Sequence, residues 1–293
     1  MSIIRILAVR NIRMFLRDRT SVFFSLLSMF IIIGLYVLFL GKTNVNSIET
    51  MVGGSVPGIR FLVDSWIMAG IIIVNSITVS LGVFGVMIDD ESKKRINGFL
   101  VAPVKRSSLV AGYMAASIIV GLILCLLALV MAEIYIVSAG GSLLSAISML
   151  KAIGVMSLSV VSSSAMVFFL VSFVRTSAGF ATLSTILGTI IGFITGIYVP
   201  IGILPEAVQT FIKLVPASHS GSILRQIFME QPLALVFAGA PAQAVIEYEK
   251  IFGVKLYWSG NEISIPVMFA VVAGSGLFFL GLSIVRMSRR KIG

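Results

Sequence analysis

The sequence predicts an all-α polytopic membrane protein with six transmembrane helices. Three observations predict it. Of 293 residues, 58% are hydrophobic and 12% are charged, about half the roughly 25% charged fraction of soluble domains. Six apolar segments reach the length of about 20 residues that a hydrocarbon core requires. The lysines and arginines gather on alternate connections between those segments. Mean hydropathy is +1.10. So apolar a chain cannot cover itself with polar surface, and lipid serves as its solvent.

Residues 1–20 are too short to span and carry Arg5, Arg10, Arg13, Arg17 and Arg19. At about 100° per residue, Arg10, Arg13 and Arg17 share one narrow arc, with Ile3, Leu7 and Met14 beside it. This pattern predicts an amphipathic helix lying in the inner interface. Ordinary positive flanking of the first span is the other reading. The apolar run that follows is long enough to span, so the N-terminus is not a cleavable signal peptide. The spans are 21–40, 65–88, 107–132, 152–174, 177–199 and 263–285, within one transmembrane domain over 1–293. Runs this long in hydrocarbon must satisfy their own backbone hydrogen bonds, so they are helices.

Between the fifth and sixth spans lies a long connection, 200–262, with Pro200, Pro205, Pro216, Pro232 and Pro241. Residues 206–214 and 218–229 read as short half-helices bounded by proline. They predict a re-entrant helical hairpin at the outer leaflet, containing Pro200, Leu204, Pro205 and Pro216. Residues 240–262 then read as a polar external loop. If both termini are inside, the inner segments hold 15 of the 22 lysines and arginines. The positive-inside rule therefore puts both termini in the cytoplasm. The net charge of +10 is then a membrane-topology signal and calls for no nucleic acid.

No engine is visible. A phosphate-binding loop needs G-x-x-x-x-G-K-[ST] after a strand. Gly41-Lys42-Thr43 is the near match, but Tyr36 stands where the first glycine belongs. No paired carboxylates, catalytic triad or metal spacing appears, and no cofactor is expected on this chain. The single cysteine, Cys125, excludes an intrachain disulfide. His219 reads as a polar helix-start residue.

The most informative connection is 89–106. Asp89, Asp90 and Glu91 come first, and Lys93, Lys94 and Arg95 follow. Ile96, Phe99 and Leu100 then fall at helical spacing. A short helix with an acidic start and an apolar face suits a groove on a soluble partner. A solvated charged loop is the equal alternative.

This stretch resembles the first intracellular loop of type-2 ABC transporter permeases. Phe99-Leu100, Pro103 and Arg106 match the family's apolar pair, proline and basic residue, Gly112 its later small residue, and Asp90 an acidic position. Lys94 stands where a glycine is common, and Asn97 where a glutamate is common. Pro200 to Val208, with Pro216, is similar to the family's outer proline–leucine–proline motif. Together with the element order, the resemblance covers nearly the whole chain. It implies a membrane subunit working as a homodimer or heterodimer with a separate ABC ATPase, which would hold ATP and Mg. It also implies a coupling element built from Asp90, Glu91, Ile96, Phe99, Leu100, Pro103 and Arg106. The implied function is export across the cell membrane of an amphipathic or lipid-like substrate, such as a drug, antibiotic, peptide or glycolipid.

Gly188, Gly192 and Gly196 recur every four residues in the fifth span. They predict close helix packing, either within the chain or as a subunit seam. Asn75 in the second span and Glu133 near the outer end of the third are candidate pathway residues, although polar groups there also serve helix packing. Two other functions remain open to the sequence. One is an ion-gradient-driven transporter, which needs midplane acids and paired broken spans. The other is a membrane immunity or signalling module without transport.

Overall fold

The structure, a computed structural model, describes residues 2–36, 45–46, 48–50, 54, 56–95, 98 and 105–289. It opens with α1, Ile3–Arg17, and α2, Arg19–Leu35. Long helices follow: α3, Ile59–Ser92; α4, Arg106–Ser138; α5, Ala146–Val171; and α6, Ser177–Ile194. After a 3-10 turn at Ile201–Ile203 come α7, Glu206–Leu214, α8, Pro216–Val236, and α9, Ala242–Ile251. A two-stranded hairpin pairs β1, Tyr257–Trp258, with β2, Asn261–Glu262. Helix α10, Ile265–Ser288, closes the chain.

Among the described residues, five helices are long and apolar enough to cross a membrane: α3, α4, α5, α6 and α10. The first expected span is helical in α2 as far as Leu35, and its residues 37–40 lie outside the described ones. Helix α3 has 34 residues, roughly 50 Å at 1.5 Å per residue. It is longer than the expected 65–88 and projects beyond a hydrocarbon core of about 30 Å. Helix α4 likewise continues past the expected 132 to Ser138.

Helix starts follow local chemistry. Ser2, Ser145 and Thr176 each accept a backbone N–H from three residues on, opening α1, α5 and α6. Pro216 begins α8 at a position where its missing N–H is not needed. Helix α6 ends in a Schellman turn. Gly196 has φ +71°, and the Ile197 N–H reaches the Gly192 carbonyl at 2.9 Å.

Helix α3 is the axis of the bundle. It is buried along most of its length, against α4, α5 and α8. Small hydroxyl residues line these contacts. Ser76 Oγ lies 3.2 Å from both Ser159 Oγ and Ser163 Oγ. Ser164 Oγ meets Ser80 at 3.0 Å and Ser117 at 2.9 Å. Ser162 bonds Ser275 of α10 at 3.0 Å. Small side chains admit close backbones, and each hydroxyl finds a partner where no water is available. Helix α6, by contrast, leaves Ile186, Ile190 and Phe193 exposed along one face.

Two sequence readings change in the region after α6. Helix α8 does not stop at 229 but continues through Pro232 to Val236. An interior proline removes one hydrogen bond, and packing of α8 on α3, α5 and α10 holds the helix across that gap. Residues 240–262 are not a polar loop. They form α9 and the hairpin, and they bury Tyr248, Phe252, Val254 and Leu256. Trp66 of α3 donates its indole N–H to the Phe252 carbonyl at 2.7 Å. Arg225 of α8, 1% exposed, donates to the Thr195 carbonyl at 2.5 Å and lies 5.1 Å from the Trp66 ring centre. Its cation thus sits at the negative end of α6. Gly70, Gly196 and Gly253 lie around it and let the chain pack tightly there: a Cβ would come within 2.6 Å of Ile197 at Gly70, and within 2.8 and 2.9 Å of Ile201 at Gly196 and Gly253.

Candidate functional site

The acidic run at the end of α3 leads to one node. Asp90 is fully buried, and three elements meet on its carboxylate. From α1, Arg10 donates through both terminal nitrogens, at 2.7 and 2.6 Å. From α4, the Tyr113 hydroxyl donates at 2.7 Å. Arg95, just beyond α3, adds a looser ion pair at 3.6 Å. A bidentate arginine–carboxylate pair fixes orientation as well as charge. Hydrogen bonding to Asp90, against the opposing effect of burial, raises the Arg10 guanidinium above its ordinary value.

The sequence positions each group. Helix α1 buries Leu7, Ala8, Asn11 and Phe15 on one face, so Arg10 stands at that face's edge. Gly112 lets α1 approach α4. A Cβ there would sit 2.5 Å from Leu7 Cβ. The neighbouring Tyr113 is thereby brought to the node.

Asp89 behaves differently. It is half exposed and takes Lys93 at 2.5 Å and Arg95 at 3.1 Å. The turn then passes through Lys94, whose φ is +55°. Left-handed backbone favours glycine, which is the residue the resembled loop carries there. Of the expected coupling residues, Asp90, Glu91 and Arg106 are described. Ile96, Phe99, Leu100 and Pro103 lie outside the described residues. Glu91 closes α3 beside Asp90 and has contacts of its own. Arg106 opens α4 and donates to the Ser288 carbonyl at 2.7 Å. It thus caps the last turn of α10 and joins the α4 flank of the connection to the C-terminal helix.

A family model described as ABC-2 type transporter matches residues 3–229, from α1 through most of α8. That is well over half of the chain. The chain belongs to the ABC-2 type transporter family. Comparison with curated proteins finds no match. The protein is a multi-pass membrane subunit of an ABC transporter, of a family whose members lack an ATP site and normally work with an ATPase subunit.

The other expected positions of this permease are scattered. Gly188 and Gly192 lie in α6, but Gly196 is the left-handed cap beyond it, so the three glycines do not form one helix stripe. At Gly192 a Cβ would collide with the Tyr198 ring of the same chain, whereas Gly188 has open space. Pro200 and Pro205 flank the 3-10 turn, Leu204 follows it, and Pro216 opens α8. Asn75 is buried and donates to the Leu124 carbonyl at 3.3 Å, a helix-to-helix bond between α3 and α4. Glu133 is buried and accepts the Leu144 N–H at 3.0 Å, closing the connection from α4 to α5. His219 lies in the first turn of α8, as the sequence reading expects, but it is buried. It is 2% exposed, with Nε2 2.8 Å from the Lys213 carbonyl.

Proposed function

We propose that this permease is the membrane subunit of an exporter driven by a separate ATPase, with residues 89–106 as the coupling element. The observation that carries the proposal is the Asp90 node. The end of α3, the N-terminal helix and α4 are cross-tied where the connection 89–106 begins and ends. Force applied to that connection is therefore delivered to three elements together. Asp90 ties α1 and α4 to α3, and Arg106 ties α4 to α10. Such a linked set can tilt as a unit between two states that the ATPase's ligands bind unequally.

The charge distribution supports a cell-membrane orientation with both termini and residues 89–106 in the cytoplasm. The outer end of the chain then carries α7, α8 and α9, with α7 and α8 as a re-entrant hairpin. Two permease subunits pair around the pathway, with the exposed apolar face of α6 as the seam. The scarcity of charge inside the spans supports an amphipathic or lipid-like cargo moving outward.

The test is co-purification of the tagged chain in mild detergent, for the parent and for Phe99→Ala with Leu100→Ala. An ATPase subunit accompanies the parent and is lost from the double variant. A folded parent that brings down no ATPase contradicts the coupling role.

A further inference from the structure

A second feature lies at the opposite end of the bundle from the Asp90 node. Arg106 holds Ser288 at the C-terminal end of α10. Around the N-terminal end of the same helix, between α5, α8 and α9, is a cavity of about 940 Å³. That volume falls at the upper end of the 300–1,000 Å³ range of ligand pockets. Its walls are apolar, built from Val155, Leu158, Ile223, Ile227, Leu233 and Phe269. Gly154 is also in the wall, and a Cβ there would meet no heavy atom within 4 Å. The surrounding surface of α8 and α10 is greasy, with Leu235, Ile265 and Val267 about half exposed. The slot is therefore continuous with faces that suit lipid.

Its polar lining is not neutralised internally throughout. Lys255 is held by Glu249 at 3.0 Å and by Glu262 at 3.6 Å. Lys151 and Glu230 also line the cavity. Both are exposed, and among the described residues neither has an ion-pair partner. Among the described residues, the apolar slot thus carries one cation, Lys151, and one anion, Glu230, without an ion-pair partner.

We infer that this cavity binds one acyl chain of a zwitterionic phospholipid, with Lys151 receiving the phosphate and Glu230 the ammonium. The complementary ligand pairs an apolar chain with a headgroup that carries charges of both signs. An anionic lipid such as phosphatidylglycerol offers the same phosphate to Lys151 but no ammonium, and so leaves Glu230 without a counter-charge. The orientation proposed above bears only on which leaflet supplies the lipid, the outer one. Binding itself needs neither an ATPase nor transport.

The test uses the full chain in nanodiscs of mixed phosphatidylethanolamine and phosphatidylglycerol, with a photoreactive acyl chain on one lipid at a time. The ethanolamine probe should label α5, α8 and the start of α10 preferentially. Gly154→Leu, which grows into the open slot, should cut that labelling roughly tenfold. Ala234→Phe fills the same cavity from α8 and serves if Gly154→Leu fails to fold. Lys151→Gln with Glu230→Gln should abolish the preference for phosphatidylethanolamine over phosphatidylglycerol. Labelling spread evenly over exposed helices such as α6, labelling unchanged by a folded filling variant, or a preference for the glycerol lipid would overturn the inference. Loss of ATPase co-purification alone would leave this result standing.

Discussion

Asp90 has no exposure to water, so the ions around it are not an ordinary surface cluster. Removing Arg10 leaves a buried carboxylate with Tyr113 and the looser ion pair to Arg95 at 3.6 Å. Breaking a buried pair from one side costs about 3–5 kcal/mol, and the 28% exposure of the Arg10 side chain lets water recover part of it. Arg10→Gln should therefore destabilise by about 2 kcal/mol in detergent unfolding. Arg10→Gln with Asp90→Asn should lose less than the sum of the single changes. Lys94 offers the opposite sign. Its left-handed backbone costs a side-chain-bearing residue roughly 1–2 kcal/mol, so Lys94→Gly should raise the unfolding midpoint. His219 brings a pH dependence. Burial, opposed by the Lys213 carbonyl, lowers its imidazole below the ordinary value. The unfolded chain then takes up the proton more readily, so stability is full above about pH 6.5 and declines below it. Thermal unfolding between pH 7.5 and 5.5 should show that decline, and His219→Gln should remove it. The family resemblance pointed to Asp90 from the sequence, but its partners could not be read there. Arg10 and Tyr113 are 80 and 23 positions away, and periodicity reports only the face of one helix. The one visible signal was Gly112, whose missing side chain brings α1 close.

The glycines separate contacts inside the chain from surfaces left open. At Gly202 a Cβ would lie 2.5 Å from the Ile251 backbone, which cannot rotate away. Gly202→Ala should cost about 1–3 kcal/mol and loosen α9, as hydrogen exchange over Ala242–Ile251 would report. Gly188 has nothing within 4 Å. Gly188→Ala should be neutral or stabilising by up to about 1 kcal/mol in the isolated chain. If α6 is the subunit seam, Gly188→Leu should weaken self-association in detergent while leaving the fold intact. The long helices were readable because hydrocarbon length and composition leave a spanning segment few alternatives. Their ends were less so: α3 and α4 gain extra turns from packing beyond the apolar stretch. Residues 240–262 were misread for a related reason. Their charges, such as Glu247 and Lys250, lie between residues that bury a continuous apolar side, and Trp66 supplies the surface they cover.

The whole chain behaves as a bundle around α3, tied at one end by Asp90 and at the other by Arg225. If the charge asymmetry sets orientation, a cysteine at Trp258→Cys should react with an impermeant thiol reagent in intact cells. One at Arg95→Cys should react only after permeabilisation. Cys125 is fully buried and does not compete. Membership of the ABC-2 type transporter family was within reach of the sequence through ordered motifs. The cross-ties on which the proposed coupling role of residues 89–106 rests were not, because they are contacts between segments far apart in the chain. The direct measurement, on the proposed complex of two permease subunits with an ATPase, is the distance between spin labels at Trp258→Cys in the two subunits, without nucleotide and with trapped ATP. A nucleotide-dependent shift in the parent, lost in Asp90→Asn, is the predicted result. An unchanged distance in a complex that hydrolyses ATP would contradict coupling through this node.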